Sequence, residues 1–544
     1  MASTVSASGF VVTKSEERKV IFASSLGTVF EWYDFYLFAV LAIFFVDKFY
    51  PPGNPTIALL ASLATLAAGF LVRPFGALVF GRLGDMIGRK YTFLITILLM
   101  GGATAAIGFL PTYAQIGDTA WVVLLLLRLL QGLALGGEYG GAATYVAEHA
   151  PEGKRGLATA WIQTTATLGL FLALMVIYIC RTTLSVEDFK QWGWRIPFWL
   201  SILLLIFSVY IRLKLNESPL FQQMKAEGKG SKSPLTDSFL RYPNNKYVLL
   251  ALLGATAGQG VVWYTGQFQV LFFLQTALKV DFQTTYILLA IALALSTPFF
   301  LFFGWLSDKI GRKWIIMAGC ALGAATYFPL FTMLSEAANP ALVKATKESP
   351  VVVLADHSAA QCDFSFAASL VPQHEDHKKD CVKVKKQLTG AGVNFTYGTP
   401  LPDAPIAVKV KDTVVKGIDA KAIADALKAN GYPTAADPAQ INKPLVVGII
   451  FILMIYVTMV YGPIAAFLVE LFPTRIRYTS MSLPYHIGNG WFGGFLPFTA
   501  TFLSISYGNI YYGLWYPIIV ATMTLVIGSL FLRETKDLPL VRDE

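Results

Sequence analysis

Long apolar runs separated by short polar stretches occupy most of the chain from residue 20 onward. A helix that crosses a bilayer needs roughly 20 mostly apolar residues, and such runs, divided at charge clusters and Pro/Gly breaks, predict twelve spans. The polar, acid-containing residues 1–19 predict a tail and no cleavable signal peptide. The predicted spans are 20–47, 56–80, 91–110, 121–147, 156–180, 195–214, 247–276, 284–303, 314–336, 445–470, 477–506 and 512–532.

Composition agrees with a membrane protein, because 55% of the residues are hydrophobic and only 14% are charged, against about 25% charged in a soluble domain. This excludes a disordered chain, a disulfide-rich secreted scaffold and a conventional cytosolic enzyme. The net charge of +9 does not indicate a nucleic-acid partner, because the Lys and Arg residues are dispersed in short loops. The four Cys residues have no metal-site spacing, and we expect neither a metal nor a cofactor.

Lys and Arg are concentrated on one side of the predicted membrane, in the tails and in the loops that follow the even-numbered spans. The positive-inside rule therefore places both termini in the cytoplasm.

Two sequence motifs occur twice. The stretch Gly81-Arg-Leu-Gly-Asp85-Met-Ile-Gly88-Arg89-Lys90 matches Gly304-Trp-Leu-Ser-Asp308-Lys-Ile-Gly311-Arg312-Lys313, 223 positions later. The pattern Glu148-x-x-Pro-x-x-x-Arg155 matches Glu470-x-x-Pro-x-x-x-Arg477, 322 positions later. The difference predicts about a hundred extra residues in the second half, at 337–443. Parallel six-helix repeats indicate a transporter that rocks about a central site.

The predicted fold is therefore an all-α membrane protein of two six-helix pseudo-repeats with a small extracytoplasmic α/β insertion. Its predicted segments are the tail 1–19, the first bundle 20–214, the linker 215–246, the second bundle 247–336 and 444–532, the insertion 337–443 and the tail 533–544.

The repeated ten-residue motif suggests a gate at the inner face. Gly81 and Gly88 permit a tight turn, and Asp85 can accept hydrogen bonds from a neighbouring helix N-terminus or pair with Arg89. We expect the second copy to act likewise, with Glu148, Arg155, Glu470 and Arg477 as gate partners. The alternative is a solvated basic loop, and two copies at symmetric positions favour the gate.

With the doubled motif and Arg128-x-x-Gln131-Gly132, the chain resembles the major facilitator superfamily. More narrowly, it resembles the metabolite:proton symporter family, which includes proline/betaine, α-ketoglutarate, citrate and shikimate permeases. The resemblance covers both bundles and fails over 337–443. The matching stretches are Glu31-Trp-Tyr-Asp34-Phe35, Arg73-Pro74-Phe-Gly76, Gly136-Gly137-Glu138-Tyr139, Trp194-Arg195-Ile-Pro197-Phe198 and Glu217-Ser218-Pro219.

Five charged residues lie well inside the predicted spans, namely Glu31, Asp34, Glu138, Arg73 and Arg128. A charge in hydrocarbon costs at least about 2.5–3.5 kcal/mol, so a functional role is expected. Our hypothesis is a proton-coupling site in which Arg128 approaches Asp34 in one state and leaves it in another, with Glu31 and Glu138 as further acids. The resemblance to sugar porters, which carry a helix 1 acid and a helix 4 Arg, implies similar use. The alternative is a fixed structural ion pair.

Arg73 is a candidate for neutralising a substrate carboxylate, for pairing with Glu138, or for a packing charge beside Pro74. The second half has no ionised residue in its predicted membrane core, but its polar and aromatic side chains could orient a small solute. Interhelical hydrogen bonding is an equally good explanation for each of them. The remaining substrate-site candidates are Tyr33, Gln163, Gln259, Trp263, Tyr264, Gln267, His486 and Asn489.

The insertion has strand-like segments at 351–354 and 406–410, and a helix-like segment at 419–429 that ends at Asn430-Gly431. Cys362 and Cys381 would face an oxidising compartment, so a disulfide is predicted. The pair His374 and His377 has no clear fuller ligand set, so a polar turn is favoured over a metal site.

These features and the resemblance together predict a proton-coupled symporter in a bacterial inner membrane, which imports a small organic acid (a mono- or dicarboxylate) or a related polar metabolite by alternating access. One alternative is a compatible-solute permease for proline or betaine, and another is a receptor that uses the insertion as its ligand module. No enzyme activity is expected. The expected partners are the solute, protons, the lipid bilayer and a periplasmic protein at the insertion, and the expected state is a monomer.

Overall fold

The computed structural model describes residues 3–5, 11–50, 55–214, 216–356, 362–366 and 374–540. Within these residues, twelve long helical segments, α1–α12, follow one another. The α11 segment, 477–507, consists of Arg477–Ile487, the π-helical Gly488–Gly493 and Leu496–Tyr507. The others are α1 Lys14–Phe49, α2 Pro55–Met86, α3 Arg89–Phe109, α4 Thr119–His149, α5 Arg155–Thr183, α6 Ile196–Leu213, α7 Asn244–Ala277, α8 Phe282–Ile310, α9 Lys313–Ala338, α10 Lys443–Leu471 and α12 Trp515–Phe531.

Nine helical segments of the described chain are long and apolar enough to cross a membrane. The three remaining predicted spans, 20–47, 56–80 and 477–506, fall on α1, α2 and α11. The predicted all-α membrane fold is therefore confirmed.

The two bundles contact each other most extensively along two helix pairs, α2 with α11 and α5 with α8. Glycines allow the backbones to approach closely. A Cβ added at Gly81 would lie 2.9 Å from the Cα of Thr479, and one added at Gly156 would lie 2.4 Å from the carbonyl oxygen of Gly304. These contacts lie at the end of the bundles that carries the repeated ten-residue motifs, which we call the motif face. The opposite end carries the insertion and is the insertion face.

The insertion is a small α/β module, as its sequence predicts. Its four-stranded sheet has the order β4-β3-β5-β6, in which β3 and β4 are parallel and the other neighbours are antiparallel. The predicted strands and the helix Ala420–Ala429 are present, whereas the helix Asp380–Gly390 and two of the strands were not predicted. The strands are β3 Val351–Leu354, β4 Phe395–Gly398, β5 Ala407–Val410 and β6 Thr413–Lys416, after an N-terminal pair, β1 Ser3–Val5 and β2 Val11–Thr13.

The insertion is fastened to the second bundle by hydrogen bonds at three places. The backbone N–H of Phe395 donates to Gly508, in the loop between α11 and α12, over 2.8 Å. The Ala436 N–H donates to Lys279 beyond α7, and the Asn442 N–H donates to Ala337 at the end of α9, each over 2.9 Å.

An aromatic contact joins a disulfide-bonded segment of the insertion to α11. Cys362 and Cys381 form the predicted disulfide, which ties residues 362–366 to the helix Asp380–Gly390. The Phe364 and Phe366 rings lie 5.7 and 5.3 Å from the ring of Phe502.

Candidate functional site

A cavity lies between the two bundles, about midway along α1, α4 and α7. Its volume is about 40 Å³, which admits about three water molecules. On the insertion side, the Trp32 and Tyr36 rings of α1 meet Trp263 and Phe268 of α7, with centroids 5.8 and 6.5 Å apart. The lining residues are Thr28, Glu31, Trp32, Arg73, Leu135, Glu138, Tyr139, Trp263, Tyr264, Tyr461, Tyr485, His486 and Asn489.

Two acids of the cavity wall share one arginine. The Arg212 Nη2 of α6 lies 2.7 Å from Glu31 Oε1, and its Nη1 lies 3.0 Å from Glu138 Oε1. All three side chains are at least 96% buried, and the second oxygen of Glu138 has no hydrogen-bond partner. Two carboxylates against one guanidinium leave one negative charge in excess when both are ionised.

Sequence reasoning missed Arg212, because its place at the end of a span made it look like a cytoplasmic loop residue. The structure corrects this and also the suggested pairing of Arg73 with Glu138. Gly27 provides the room for the guanidinium, since a Cβ there would lie 2.4 Å from Arg212 Nη2. Gly27 and Glu31 stand one turn apart on the same face of α1, and this spacing is a signal that could have identified the partner.

Arg128 and Asp34, which the sequence predicts to approach each other, are not in direct contact in this conformation. Arg128 Nη1 donates to Gln131 Oε1 over 2.7 Å, and Gln131 Nε2 donates to Thr104 Oγ1 over 2.6 Å. The Thr104 hydroxyl in turn neighbours Asp34, which accepts a 2.6 Å hydrogen bond from Ser201. Two side chains therefore connect the pair that the sequence suggested, and Asp34 has no cationic neighbour among the described residues.

Arg73 lines the cavity from α2, and no acid of the described chain forms an ion pair with it. Its guanidinium lies over the Phe70 ring at 4.4 Å and near Phe35 at 5.2 Å. Its Nε has no hydrogen-bond partner, and the same is true of both ring nitrogens of His486. Buried polar atoms without partners are rare in folded proteins, so these atoms have unused hydrogen-bonding capacity.

Of the predicted solute contacts, five line the cavity: Arg73, Trp263, Tyr264, His486 and Asn489. Tyr139, Tyr461 and Tyr485 were not predicted. The Tyr139 and Tyr485 rings stack with centroids 3.6 Å apart, and the Tyr461 and Tyr485 hydroxyls are 2.9 Å apart.

The other four predicted contacts bond to protein groups and do not line the cavity. The Tyr33 hydroxyl donates to the Pro197 carbonyl, and Gln163 donates to the Tyr139 hydroxyl, each over 2.8 Å. Gln267 accepts a 3.4 Å hydrogen bond from Tyr36.

Gln259 forms a reciprocal amide pair with Asn489. Gln259 Nε2 donates to Asn489 Oδ1 over 3.0 Å, and Asn489 Nδ2 donates to Gln259 Oε1 over 2.9 Å. The pair joins α7 to the π-helical part of α11, and a π-helical turn inside a helix is frequent at functional sites.

At the motif face, each motif aspartate caps a helix of the other bundle. Asp85 accepts the backbone N–H groups of Tyr478 and Thr479, at the start of α11, over 3.3 and 2.8 Å. Asp308 accepts those of Gly156 and Leu157, at the start of α5, over 2.8 Å each. The two copies of the motif therefore lock the bundles together reciprocally.

Four arginines and four acids form ion pairs around these caps. Arg89 lies 3.2 Å from Asp85, Arg312 2.9 Å from Asp308, Arg477 2.9 Å from Glu148 and Arg155 3.5 Å from Glu470. Further contacts join Arg89 to Glu148 at 3.8 Å and Arg312 to Glu470 at 2.9 Å. All predicted gate residues with charged side chains, apart from the two lysines, belong to this network.

The lysines of the motifs and two acids absent from our sequence analysis of the gate complete it. The backbone N–H groups of Lys90 and Lys313 donate to Glu217 Oε2 and Glu534 Oε2 over 3.1 and 3.0 Å. Gly88 and Gly311, with φ of 129° and 107°, adopt backbone conformations that favour glycine, and the same two acids lie against them.

Comparison with known proteins gives matches to transporters. A family model described as sugar (and other) transporter matches residues 19–247. The inner membrane metabolite transport protein YhjE of Escherichia coli (strain K12) is 30% identical over 523 residues, which cover 96% of this chain and 95% of that protein.

Two relatives with named solutes match over shorter stretches. An alpha-ketoglutarate permease of Escherichia coli (strain K12) is 33% identical over 340 residues, 62% of this chain and 77% of the permease. A proline/betaine transporter of Salmonella typhimurium is 34% identical over 336 residues, 60% of this chain and 66% of that transporter.

Among solved structures, the proton:xylose symporter XylE of E. coli, bound to 6-bromo-6-deoxy-D-glucose, is similar with a TM-score of 0.62. The similarity covers 97% of this chain and 98% of XylE at 13% sequence identity. It is a likeness of fold.

Proposed function

This chain belongs to the major facilitator superfamily, and we propose that it is a proton-coupled symporter that carries a small organic anion through a bacterial inner membrane. The observation that carries this proposal is the pair of acids, Glu31 and Glu138, which share the single guanidinium of Arg212 at the wall of the cavity.

The excess negative charge of Glu31 and Glu138 over Arg212 is the reason to propose that a proton binds at this site. Burying an unpaired carboxylate costs several kcal/mol, and binding one proton to either acid removes the excess. Both acids line the cavity, so whichever face the cavity opens to supplies or receives the proton. Arg212 cannot release its own proton and serves as a fixed counter-charge.

The preference for an anion rests on Arg73. Its guanidinium lines the cavity without an acid partner in the described chain, and a carboxylate of the solute would supply the missing charge in bidentate geometry. The relative named alpha-ketoglutarate permease supports the same class of solute.

Access to the cavity would alternate by opening and closing the motif face. We place this face in the cytoplasm, because the Lys and Arg residues of the short loops are concentrated there. Separation of α2 from α11 and of α5 from α8 would break both aspartate caps together and expose the cavity to the cytoplasm.

The test uses purified protein in proteoliposomes. A thermal-shift screen of organic acids, amino acids and betaines identifies solutes, and uptake under an imposed pH gradient follows. Glu138→Gln is expected to lower accumulation about tenfold per pH unit of gradient, because each coupled proton contributes that factor. Exchange of the solute without a gradient should persist.

Glu187→Gln, an exposed acid on the insertion face, is the matched control and should behave as the parent. Full gradient-driven accumulation in the Glu138→Gln variant would contradict the proposal. Binding of a solute without any transport would favour the receptor alternative.

The second candidate is a compatible-solute symporter, and the aromatic wall of the cavity favours it. Trp32, Trp263, Tyr264 and Tyr461 border the same space as Arg73. Aromatic faces attract a quaternary ammonium group, while Arg73 would hold the carboxylate of a betaine. Stronger stabilisation by glycine betaine than by any organic acid in the screen would select this candidate.

A further inference from the structure

A second, smaller cavity of about 10 Å³ lies beside the central one within the first bundle. Arg128 of α4 and Arg73 of α2 both line it, and Arg73 together with Leu135 lines the central cavity as well. The side cavity therefore adjoins the proposed solute site, with Leu135 in the wall between them.

Arg128 is buried there without an anionic partner. Its exposed fraction is 4%, and no acid of the described residues forms an ion pair with it. Its contacts are the amide oxygen of Gln131 at 2.7 Å and the Phe38 ring at 3.9 Å. Its Nε has no hydrogen-bond partner. An arginine stays charged in proteins, so this site lacks one negative charge.

Arg73 lacks a negative charge for the same reason, and the two guanidinium groups border one small cavity. Like charges buried together repel each other, and only an anion that reaches both relieves the repulsion. A solute with a single carboxylate can satisfy one arginine and leaves the other unpaired.

We propose that the two cavities form one site for a dicarboxylate, in which Arg73 binds one carboxylate and Arg128 binds the other. This inference rests on the proposed function and deepens it by naming the solute class. The side cavity holds about one water molecule at its present size, so Leu135 moves aside when the second carboxylate enters.

The charges of the first bundle give the proton count. Around the two cavities, away from the motif face, three acids are buried, Glu31, Asp34 and Glu138, together with three arginines, Arg73, Arg128 and Arg212. A dianion that enters together with two protons leaves the total charge of this core unchanged. One proton joins the acids that share Arg212, and the other joins Asp34, which has no cationic neighbour among the described residues. Symport of a dicarboxylate with two protons is then electroneutral.

The binding test compares succinate and 2-oxoglutarate with their mono-amides, which have the same shape but one charge fewer. The parent protein should bind each dicarboxylate at least tenfold more tightly than its mono-amide. Arg128→Gln should weaken dicarboxylate binding at least tenfold and change mono-amide binding less than threefold, whereas Arg73→Gln should weaken both.

Arg195→Gln is the matched control, because Arg195 donates hydrogen bonds to the carbonyls of Gly108 and Leu110, at 2.8 and 2.9 Å, and lines neither of the two cavities. Arg128→Lys keeps the charge and should restore part of the dicarboxylate preference, so a folding defect of Arg128→Gln does not hide the result. Equal loss of dicarboxylate and mono-amide binding in Arg128→Gln would overturn the proposal, as would equal binding of the two in the parent.

The transport test measures how many protons enter with each succinate molecule. The parent should take up two, and an imposed membrane potential should not change the accumulation. Asp34→Asn should take up one. A ratio of two that persists in Asp34→Asn, or a potential-dependent parent, would reject the proton count. If no organic acid enters under a pH gradient, the proposed function itself fails. If acids enter without a preference for two charges, only this inference fails.

Discussion

The charges at the motif face and the charges around the cavities are both balanced in sign but differ in arrangement. At the motif face, four acids and four arginines form five ion pairs at 3.5 Å or less, and each of these charges has at least one partner. Around the cavities, three acids and three arginines are buried, and two of the acids share one arginine while Asp34, Arg73 and Arg128 have no ionic partner in the described chain.

This difference separates two roles of buried charge. A buried pair is expensive to break, because a lone charge remains, and it can therefore hold one conformation. A buried charge without a partner raises the free energy of the folded protein, and binding of a ligand of opposite charge lowers it again. The fully paired region suits a gate, and the incompletely paired region suits a site for protons and an anion.

The largest effect is expected when a gate pair is broken. Arg312→Ala leaves Asp308 and Glu470 without their closest cation, so the closed motif face should lose about 3–5 kcal/mol. Lys154 beside α5 and Lys309 on α8 are exposed positions for spin labels, and the distance between the labels should lengthen as the population shifts towards an open motif face.

Arg241→Ala is the control for this experiment, since Arg241 and Asp237 have the same i,i+4 spacing, but Arg241 is 67% exposed. Its effect should stay below about 1 kcal/mol. Equal label distances in the Arg312→Ala variant and the parent would show that the pair does not hold the gate.

The next effect concerns the shared arginine of the core. Arg212→Gln leaves Glu31 and Glu138 together without a cation, which destabilises the protein whenever both are ionised. The loss in melting temperature should therefore be large at alkaline pH and should shrink as the pH falls and the acids take up protons. A loss of equal size across this pH range would mean that Arg212 acts through packing alone.

A smaller effect is expected at an uncharged pair beside the cavity. Asn489→Leu leaves both amide atoms of Gln259 without their partner, and a buried unsatisfied group costs about 1–3 kcal/mol. Replacing both residues with Leu should recover much of the melting temperature. If the double variant were less stable than Asn489→Leu, the reciprocal amide pair would not be the source of the effect.

The smallest effect is expected at a carboxylate outside the membrane. Hydrogen bonds from Lys379 and Ser365 hold the pKa of Asp376 in the folded protein below its usual range. The carboxylate therefore stabilises the fold fully when the pH is above the pKa that Asp376 has in the unfolded chain. This stabilisation is lost as the pH falls through the lower pKa of the folded protein. Asp376→Asn should cost about 1 kcal/mol or less at neutral pH. Limited proteolysis of the insertion at neutral and acidic pH measures this, and the difference between variant and parent should vanish in acid.

The sequence predicted the features that depend on periodicity and repetition. Apolar runs predicted the membrane helices, and the doubled motif predicted where the insertion lies. The motifs also carried the resemblance to the family, which the comparisons confirm. In the insertion, Val351–Leu354 alternates buried and half-buried residues, which is the pattern that made it recognisable as a strand.

The arrangement within the site could not be predicted in the same way. Whether Arg212 turns back towards Glu31 or outwards into solvent depends on how α1, α4 and α6 pack, and a single sequence contains no record of that packing. Gln259 and Gln267 are polar residues of one helix, but only the neighbouring α11 and α1 determine their partners. The roles of the gate and the coupling residues stay predictions.

The hydrogen bonds at three places make the insertion move together with the second bundle as one body. Phe395, Ala436 and Asn442 fasten it to the loops and ends of the second bundle, so a tilt of that bundle carries the whole module with it. The same small angle of tilt moves atoms only slightly at the membrane centre but displaces the outer edge of the insertion much further. Antibody fragments or fluorophores attached there would therefore report each turnover without touching the solute path.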